Sequence, residues 1–266
     1  MKVALATLVC ALAAGAGCGA GGGSAGAGAD AAGADAASSV DDGGALADTS
    51  ATPDGLPPGL TAVVVTNGAA TLSPGDVVMV DRLRGRGFVV TFVSDVAATA
   101  DGVAGQDLIV ISSSAESGPL GTKIRDVAIP VVCIENGAFP TMGLAGPTLA
   151  TDYGSTFNQT MVTIPDGAPP GGGGIVTGGL TGAVTITSVP AELGWAQPPT
   201  GAIIAATMAD NPAHAMLFGY TAGSPMVGLA APARRVGYAI RETAAANLTA
   251  DGLALFDAAV TFALSP

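Results

Sequence analysis

Two short apolar runs flank a segment of helix length in DLIVISSSAESGPLGTKIRDVAIPVVCIEN, residues 107–136. The runs, residues 108–111 and 130–134, are rich in Val and Ile, as is typical of strands buried on both faces of a parallel sheet. Polar residues follow each run, and in open α/β sheets ligands bind beyond the carboxyl ends of the strands. The candidate ligand-binding residues at these two ends are Ser112, Ser113, Glu135 and Asn136.

Further strands and helices are predicted on both sides of this unit. The strand candidates, which share β-branched or alternating apolar patterns, are residues 61–65, 88–93, 161–164, 184–189, 202–206, 215–218 and 236–240. A short helix is predicted at residues 118–125, between the two apolar runs. Strands that alternate with helices at this spacing are typical of βαβ units. The sequence therefore predicts an α/β fold with a doubly wound, mostly parallel sheet, and leaves open the strand order between residues 140 and 200.

Two longer helices carry clear start signals. Ser73 can cap a helix whose first residue is Pro74, because serine accepts a backbone N–H and proline suits the first helical position. Val77, Val80 and Leu83 form the predicted buried face of this helix. Thr249 predicts the cap of a final helix, whose apolar face is predicted to consist of Leu253, Phe256, Val260 and Ala263.

Composition indicates a large aliphatic core and an acidic surface. Hydrophobic residues make up 49% of the 266-residue chain but aromatic residues only 4%, so the core is predicted to consist of Ala, Val, Leu and Ile. The net charge is −12, and the few basic residues form no stripe. Because nucleic-acid-binding proteins neutralise phosphates with clustered basic residues, we expect no nucleic-acid partner.

The N-terminal part carries targeting signals. Residues 1–17 are predicted to be a signal peptide, because Lys2 precedes an apolar run that is too short to span a bilayer. The motif GAGC, which ends at Cys18, resembles a bacterial lipobox, in which the cysteine is acylated, although Gly15 stands where an aliphatic residue is usual. These features predict an exported lipoprotein, anchored to the membrane through Cys18 in the periplasm or at the cell surface. An ordinary secreted protein is the alternative.

The rest of the chain divides into two parts. Residues 18–58 are low-complexity Gly, Ala, Ser and Asp, which bury little surface, so they are predicted to form a disordered, flexible tether. Residues 59–266 have the apolar content of a folded unit and are predicted to form a single α/β domain.

Few residues offer catalytic chemistry. The chain has one histidine, His214, in a predicted loop or surface position, and three cysteines. This count excludes multi-histidine zinc sites, and we expect neither a metal nor a cofactor. Cys133 lies within a predicted strand, where a small buried hydrophobic role is usual. Glu135 is the candidate acid, which could act as a general base, bind a ligand or be held by nearby backbone N–H groups.

Other polar and aromatic residues have two interpretations each. Ser112 and Ser113 could bind a ligand or cap the next helix, and Asn67 in the turn after the first strand is a further candidate for ligand binding. Trp195 could form a surface for sugar stacking together with Tyr153, although a packing role is the more usual one for a lone tryptophan.

The segments DLIVISSS, IPVVCIEN and LTADGLALFDAAVTFA resemble the class I glutamine amidotransferase-like fold, a flavodoxin-like architecture, over residues 60–264. The nearest branch is the trehalose-utilisation-protein-like (ThuA-like) group and related extracellular bacterial domains. In glutamine amidotransferases the fourth strand ends at a nucleophilic cysteine; Glu135 corresponds to that position, and Cys133 to a preceding glycine. Ala239 and Ile240 stand where the family places its catalytic histidine. The resemblance therefore implies the fold without its thiolate–imidazole chemistry.

Together these features predict an exported lipoprotein with a catalytically degenerate amidotransferase-like domain. Its expected function is non-catalytic: a ligand-binding or interaction module at the cell envelope, with a carbohydrate or another small molecule as ligand. One alternative is a carbohydrate-directed enzyme of ThuA-like type that uses Glu135 with Ser112, Ser113 or Asn67. Another is a purely structural envelope domain. Polar groups that converge on Glu135 would favour ligand binding, whereas a flat, filled sheet edge would favour a structural role.

Overall fold

The computed structural model describes residues 56–57, 59–166 and 174–266. The predicted signal peptide, Cys18 and most of the predicted tether lie outside the described residues.

Eleven strands form one sheet in the described part of the chain. They are β1 (Thr61–Thr66), β2 (Val89–Ser94), β3 (Leu108–Ile111), β4 (Val131–Cys133), β5 (Tyr153–Gln159), β6 (Met161–Ile164), β7 (Gly182–Thr185), β8 (Ala191–Ala196), β9 (Ile203–Met208), β10 (Ala215–Tyr220) and β11 (Arg235–Tyr238). The helices are α1 (Pro74–Gly85), α2 (Ser117–Leu120), α3 (Glu242–Ala245) and α4 (Ala250–Leu264), and short 3-10 turns span Asp101–Val103 and Asn136–Ala138.

The parallel half of the sheet contains the unit from which the sequence analysis began. Its strand order is β2-β1-β3-β4-β11, and every neighbouring pair is parallel. All residues of β3 and β4 are buried, which explains why these strands are continuous apolar runs without alternation. Because the strands are parallel, their carboxyl ends lie along one edge of the sheet. The residues that follow β3 and β4 therefore lie at the same edge, as predicted.

The other half of the sheet is antiparallel. The order continues β11-β10-β9-β6-β7, and β8 pairs with both β5 and β10, in every case antiparallel. The prediction of a mostly parallel sheet therefore holds for the first half only. Short connections favour antiparallel neighbours, because a parallel crossover needs a dozen or more residues. The architecture is a mixed α/β fold with one large sheet and few helices.

Helix α1 begins as predicted, but its buried face differs. Ser73 caps the helix, and its hydroxyl accepts the backbone N–H of Asp76 at 3.1 Å. The prediction that Val77 is buried is wrong, since 42% of this residue is exposed. The helix is rotated so that Met79 and the carboxylate of Asp76 face inward instead. Local apolar spacing could not reveal this, because a buried aspartate breaks the helical pattern.

Two other predicted elements have different bounds. The short helix predicted at residues 118–125 is only α2, because Gly121, with φ of +53°, follows it in a conformation that does not continue a helix. The strand predicted at residues 184–189 ends at Thr185, and the strands β5 and β8 were not predicted.

Helix α4 is capped by Thr249 as predicted, and it is bound to α1 by charged groups. The Thr249 hydroxyl accepts the N–H of Gly252 at 3.1 Å. On the next turns, the Asp257 carboxylate accepts hydrogen bonds from Arg82 at 2.9 Å and lies 3.5 Å from the buried guanidinium of Arg86. Since both arginines belong to the end of α1, these contacts place α1 and α4 on the same side of the sheet.

A second buried arginine stabilises the entry to the central strands. Arg235, at the start of β11, is fully buried, and its guanidinium donates to the carbonyl oxygens of Ile129 at 2.8 Å and Val127 at 2.5 Å. Burial lowers the pKa of Arg235 to about 10. The side chain thus satisfies backbone carbonyls of the segment that leads into β4.

Replacing Asp257 with asparagine is expected to lower the free energy of unfolding by about 1–3 kcal/mol, because the buried Arg86 guanidinium loses its charged partner. Urea unfolding followed by circular dichroism would measure the change. Asp126→Asn is the matched control, since Asp126 forms an exposed ion pair with Arg125 and should change stability by less than about 0.5 kcal/mol. Equal effects of the two substitutions would contradict this assignment.

Candidate functional site

Glu135 lies directly after the central strand β4, at the carboxyl edge of the parallel half. Only 7% of the residue is exposed. The backbone of Ile134 is still paired with β3, through an N–H that donates to Ile111 at 2.8 Å. The carboxylate of Glu135 caps the 3-10 turn that follows and accepts the N–H of Gly137 at 2.8 Å. The strand therefore fixes the backbone, and the turn fixes the carboxylate.

The partner of Glu135 is Arg241, which the sequence analysis did not select. Its Nη1 atom donates to both carboxylate oxygens of Glu135, at 2.7 and 2.9 Å, and to the side-chain oxygen of Asn136 at 3.3 Å. Its Nε atom lies 3.7 Å from a carboxylate oxygen of Glu192 on β8. Arg241 follows β11, which neighbours β4, so the parallel pairing of these two strands brings the arginine to Glu135.

Burial dominates the electrostatics of Glu135. It raises the pKa of the carboxyl above its ordinary value, since burial disfavours the charged form. The positive charge of Arg241 and the hydrogen bond from Gly137 oppose this effect, while the negative charge of Glu192 adds to it. The pKa of Glu135 is thus raised by burial, and Arg241 is the main group that opposes the rise.

Cys133 does not provide a nucleophile at this edge. Its thiol is completely buried, and burial, together with the negative charge of Glu135, raises its pKa well above the ordinary range. Reactive cysteines need a stabilised thiolate. The interpretation of Cys133 as a small buried hydrophobic residue agrees with this setting.

The serines after β3 hold two carboxylates in place. The hydroxyls of Ser112 and Ser114 both donate to Asp76, which is 1% exposed at the start of α1; the bond from Ser114 is 2.7 Å long. The Ser113 hydroxyl donates to Glu242 at 3.0 Å, and the other oxygen of that carboxylate accepts the N–H of Gly75 at 2.7 Å. The hydroxyl groups of Ser112 and Ser113 therefore already donate hydrogen bonds to neighbouring carboxylates.

The two candidate asparagines have local roles. The amide of Asn136 donates to the carbonyl of Gly154 on β5 at 2.7 Å, which connects the end of β4 to the antiparallel half. Asn67 is exposed, and its side-chain oxygen accepts the N–H of Ala69 at 3.0 Å within the turn after β1. Asn67 is not among the residues that line the pocket beside Glu135.

An open polar pocket of about 450 Å³ adjoins Glu135 at this edge. We call it the Glu135 pocket. Its lining residues are Ser113, Ser114, Ala115, Glu116, Ser117, Gly118, Pro119, Glu135 and Arg241. The loop between β3 and α2 forms one wall, and the ion pair forms the other. Of the predicted site residues, the structure brings Ser113 and Glu135 together here and leaves Asn67 apart.

The single histidine and the single tryptophan lie elsewhere and pack on one another. Their rings are parallel, with centroids 3.6 Å apart, and Trp195 is only 5% exposed. Burial lowers the pKa of His214, whose Nε2 lies 3.2 Å from the amide of Asn211. Trp195 therefore has no free face for stacking on a sugar, and neither ring lines the Glu135 pocket.

No group of three or more His, Cys, Asp or Glu side chains in the described part of the chain is arranged to hold a metal ion. None of the described helices has the length and apolar character needed to cross a membrane.

No protein-family model matches the chain, and no curated protein is significantly similar to it.

Replacing Arg241 with glutamine is expected to raise the pKa of Glu135 further, because the positive charge that favours the ionised carboxyl is removed. Titration of the glutamate carboxyl carbons, followed by NMR, would measure the pKa of Glu135 directly. Arg84→Gln is the control, since Arg84 is exposed on α1 and pairs with Asp81. A Glu135 titration that is the same in wild type and Arg241→Gln would contradict the proposed dependence.

The raised pKa of Glu135 also determines whether stability rises or falls with pH. Because folding raises the pKa of Glu135, the folded protein keeps this proton at pH values at which the unfolded chain has lost it. The stability that the group contributes is complete below its ordinary pKa of 4.5 and is lost as the pH rises through the raised value. In Arg241→Gln this loss should extend to higher pH, which urea unfolding at a series of pH values would show.

Proposed function

We propose that the described domain is a non-catalytic binding module, and that the Glu135 pocket binds a neutral small molecule rich in hydroxyl groups, such as a sugar. The observation that carries this proposal is the convergence of polar groups on one pocket at the carboxyl ends of β3 and β4. This is the edge at which open α/β sheets bind their ligands. A flat, filled edge would instead have favoured a purely structural envelope domain, so the pocket weighs against that alternative.

The charges around the pocket favour a neutral ligand over an anion. Glu116 and Glu135 line it, and Glu242 lies behind Ser113. The one arginine in the lining, Arg241, already interacts with two carboxylates. An anionic ligand would therefore meet net negative charge, whereas sugar hydroxyls can donate to carboxylate oxygens in charge-assisted hydrogen bonds.

The chemistry of the lining supports a role without catalysis. The pocket lining contains neither cysteine nor histidine, and the Ser113 hydroxyl donates to the Glu242 carboxylate, which the N–H of Gly75 also holds. Glu135 is fixed by an ion pair and a backbone N–H. These lining residues therefore offer neither a Cys–His nor a Ser–His pair of the kind that activates a nucleophile for covalent catalysis.

The proposed family is the class I glutamine amidotransferase-like fold, nearest to its ThuA-like branch. The parallel order β2-β1-β3-β4-β11 and the position of Glu135 after β4 support this proposal. In that fold Glu135 would occupy the place of the reactive cysteine, with an arginine as its partner. The resemblance thus gives a fold-level reason for the loss of catalysis.

One observation favours the alternative of a carbohydrate-directed enzyme. Burial raises the pKa of Glu135, and a carboxyl with a raised pKa in a pocket can act as a general acid or base. In such an enzyme Arg241 would have to release the carboxylate before proton transfer. The two functions differ in whether a bound sugar is consumed.

Thermal unfolding in the presence of sugars is expected to show a raised Tm with at least one neutral mono- or disaccharide, and no rise with small carboxylic acids, because a ligand that binds only the folded state stabilises it. Ser117→Leu places an apolar side chain in the pocket. It should raise the sugar concentration needed for the same rise in Tm at least about tenfold, which corresponds to a loss of about 1.4 kcal/mol in binding free energy. Ser188→Leu is the control, because Ser188 is exposed and lies outside the pocket lining.

The outcomes separate the proposals. Stabilisation without loss of the sugar, measured by chromatography, supports a binding module. Consumption of the sugar that stops in Glu135→Gln would establish the enzyme instead. If no sugar in the panel raises the Tm, or if Ser117→Leu responds like wild type, the proposed ligand site is wrong.

We also propose that the protein is exported and anchored through an acylated Cys18. Mass spectrometry of the mature protein is expected to find Cys18 as the N-terminal residue, with added acyl mass. Cys18→Ser should remove the acyl mass and shift the protein from the membrane fraction to the soluble fraction. An unmodified mature N-terminus at another residue would mean that the protein is simply secreted.

A further inference from the structure

Among the described residues, the strand β2 forms an uncovered edge of the sheet. Within this part of the chain it pairs only with β1, in an unbroken register from Thr61↔Val89 to Thr66↔Ser94. Its sequence, VVTFVS, contains no charged residue, proline or glycine. Val89 is 57% exposed and Phe92 is 44% exposed. An edge strand of this kind is a template for pairing with another strand.

The backbone of β2 presents a row of hydrogen-bonding groups away from β1. The N–H of Val89 donates to Leu60 at 2.8 Å, and the N–H of Asp95 donates to Thr66 at 2.8 Å. In a parallel pair alternate residues bond to the same neighbour, so the odd-numbered residues of β2 face β1. The N–H and C=O groups of Val90, Phe92 and Ser94 therefore point outward. Such a row specifies another extended strand as its partner.

The other sheet edges among the described residues carry features that discourage pairing. The edge strand β7 has only four residues and begins at Gly182, whose φ is +63°. The edge strand β5 has an irregular register with β8, and its Asn158 has a φ of +59°. Short length and bulges are devices that protect edges. The strand β2 has neither, which indicates that it is covered in the working protein.

A pocket of about 460 Å³ begins at the carboxyl end of this strand. Phe92, Val93 and Ser94 form one side of it, and Leu72 with the small residues of the turn after β1 forms the other. All of its lining residues are uncharged. A strand added to β2 would thus find main-chain partners along the edge and space for an apolar side chain at one end.

We propose that this edge binds a second copy of the chain, with the two β2 strands antiparallel and a two-fold axis beside Phe92. In this register Phe92 lies opposite Phe92 of the second copy, and Val90 lies opposite Ser94. Val90, Phe92 and Ser94 share one face of the strand, because side chains alternate. Val90 of each copy therefore projects beside Ser94 of the other copy, which lines the pocket. The two-fold axis repeats this contact, so it forms twice in the dimer.

Self-complementarity favours a second copy as the partner. The chain carries a net charge of −12, so two copies can approach each other closely only at a surface without charged groups. The edge of β2 is an uncharged stretch, where two copies can approach without placing like charges opposite one another. A closed two-fold contact also uses the same surface on both partners, which one self-complementary strand provides. This inference concerns a different edge from the Glu135 pocket and does not depend on the proposed ligand.

Sedimentation velocity of the full chain over a range of concentrations is expected to show a dimer. Phe92→Lys places two positive charges side by side at the axis and should raise the dimer dissociation constant at least about tenfold. Phe157→Lys is the matched control, because Phe157 is an exposed phenylalanine, 66% accessible, on β5. A monomer at all concentrations, or a dimer that Phe92→Lys and Phe157→Lys affect equally, would overturn the proposal.

A cysteine substitution tests the register without a large change in the fold. Opposed residues in a hydrogen-bonded antiparallel pair have Cα atoms about 5.5 Å apart, within disulfide range. Under mild oxidation Phe92→Cys should give a cross-linked dimer, with the 92–92 peptide identified by mass spectrometry. Val96→Cys should give no 96–96 peptide, since antiparallel pairing moves these positions far apart. A dimer in which Val96→Cys cross-links and Phe92→Cys does not would exclude this register.

Discussion

The carboxyl edge of the sheet depends on the ion pairs of Arg241. The Arg241 guanidinium binds the buried carboxylate of Glu135 after β4 and lies beside Glu192 on β8. One cation therefore connects the parallel half of the sheet to the antiparallel half. Burying a carboxylate without a partner costs several kcal/mol, and Arg241, which β11 brings alongside, offsets part of this cost together with the N–H of Gly137.

Two further acidic groups at this edge, Asp76 and Glu242, are satisfied by neutral donors. Asp76 accepts two serine hydroxyls, and Glu242 accepts a serine hydroxyl together with the N–H of Gly75 at the start of α1. A carboxylate at a helix N-terminus is favoured by the helix dipole. Glu242 therefore fills a position that would otherwise attract an anion. The edge keeps a polar pocket but loses much of its attraction for negatively charged ligands.

Local patterns predicted the elements that local forces determine. The apolar runs of β1, β3 and β4 and the caps Ser73 and Thr249 were evident because each depends on a few adjacent residues. The early end of α2 was missed although Pro119 and Gly121 are turn signals. The strands β5 and β8 were missed because neither contains a run of Val or Ile.

The site was predictable only in part, for a related reason. Glu135 was identifiable because it ends a buried run. Its partner Arg241 lies 106 positions away in the sequence, and Ser113 and Glu242 are separated by 129 positions. No periodicity encodes such pairs. They become visible only once the parallel order of β3, β4 and β11 is known, since that order brings the ends of these strands together.

The buried guanidinium of Arg235 has a consequence for the order in which the protein can assemble. It binds the carbonyl groups that lead into β4, yet it belongs to β11, and the whole antiparallel half lies between these strands in the chain. In a chain that emerges N-terminus first, whether from the ribosome or across a membrane, the central strand appears long before the side chain that completes its surroundings. The carbonyl groups that lead into β4 thus lack this partner until β11 has emerged, and closure of the sheet becomes a late, long-range event.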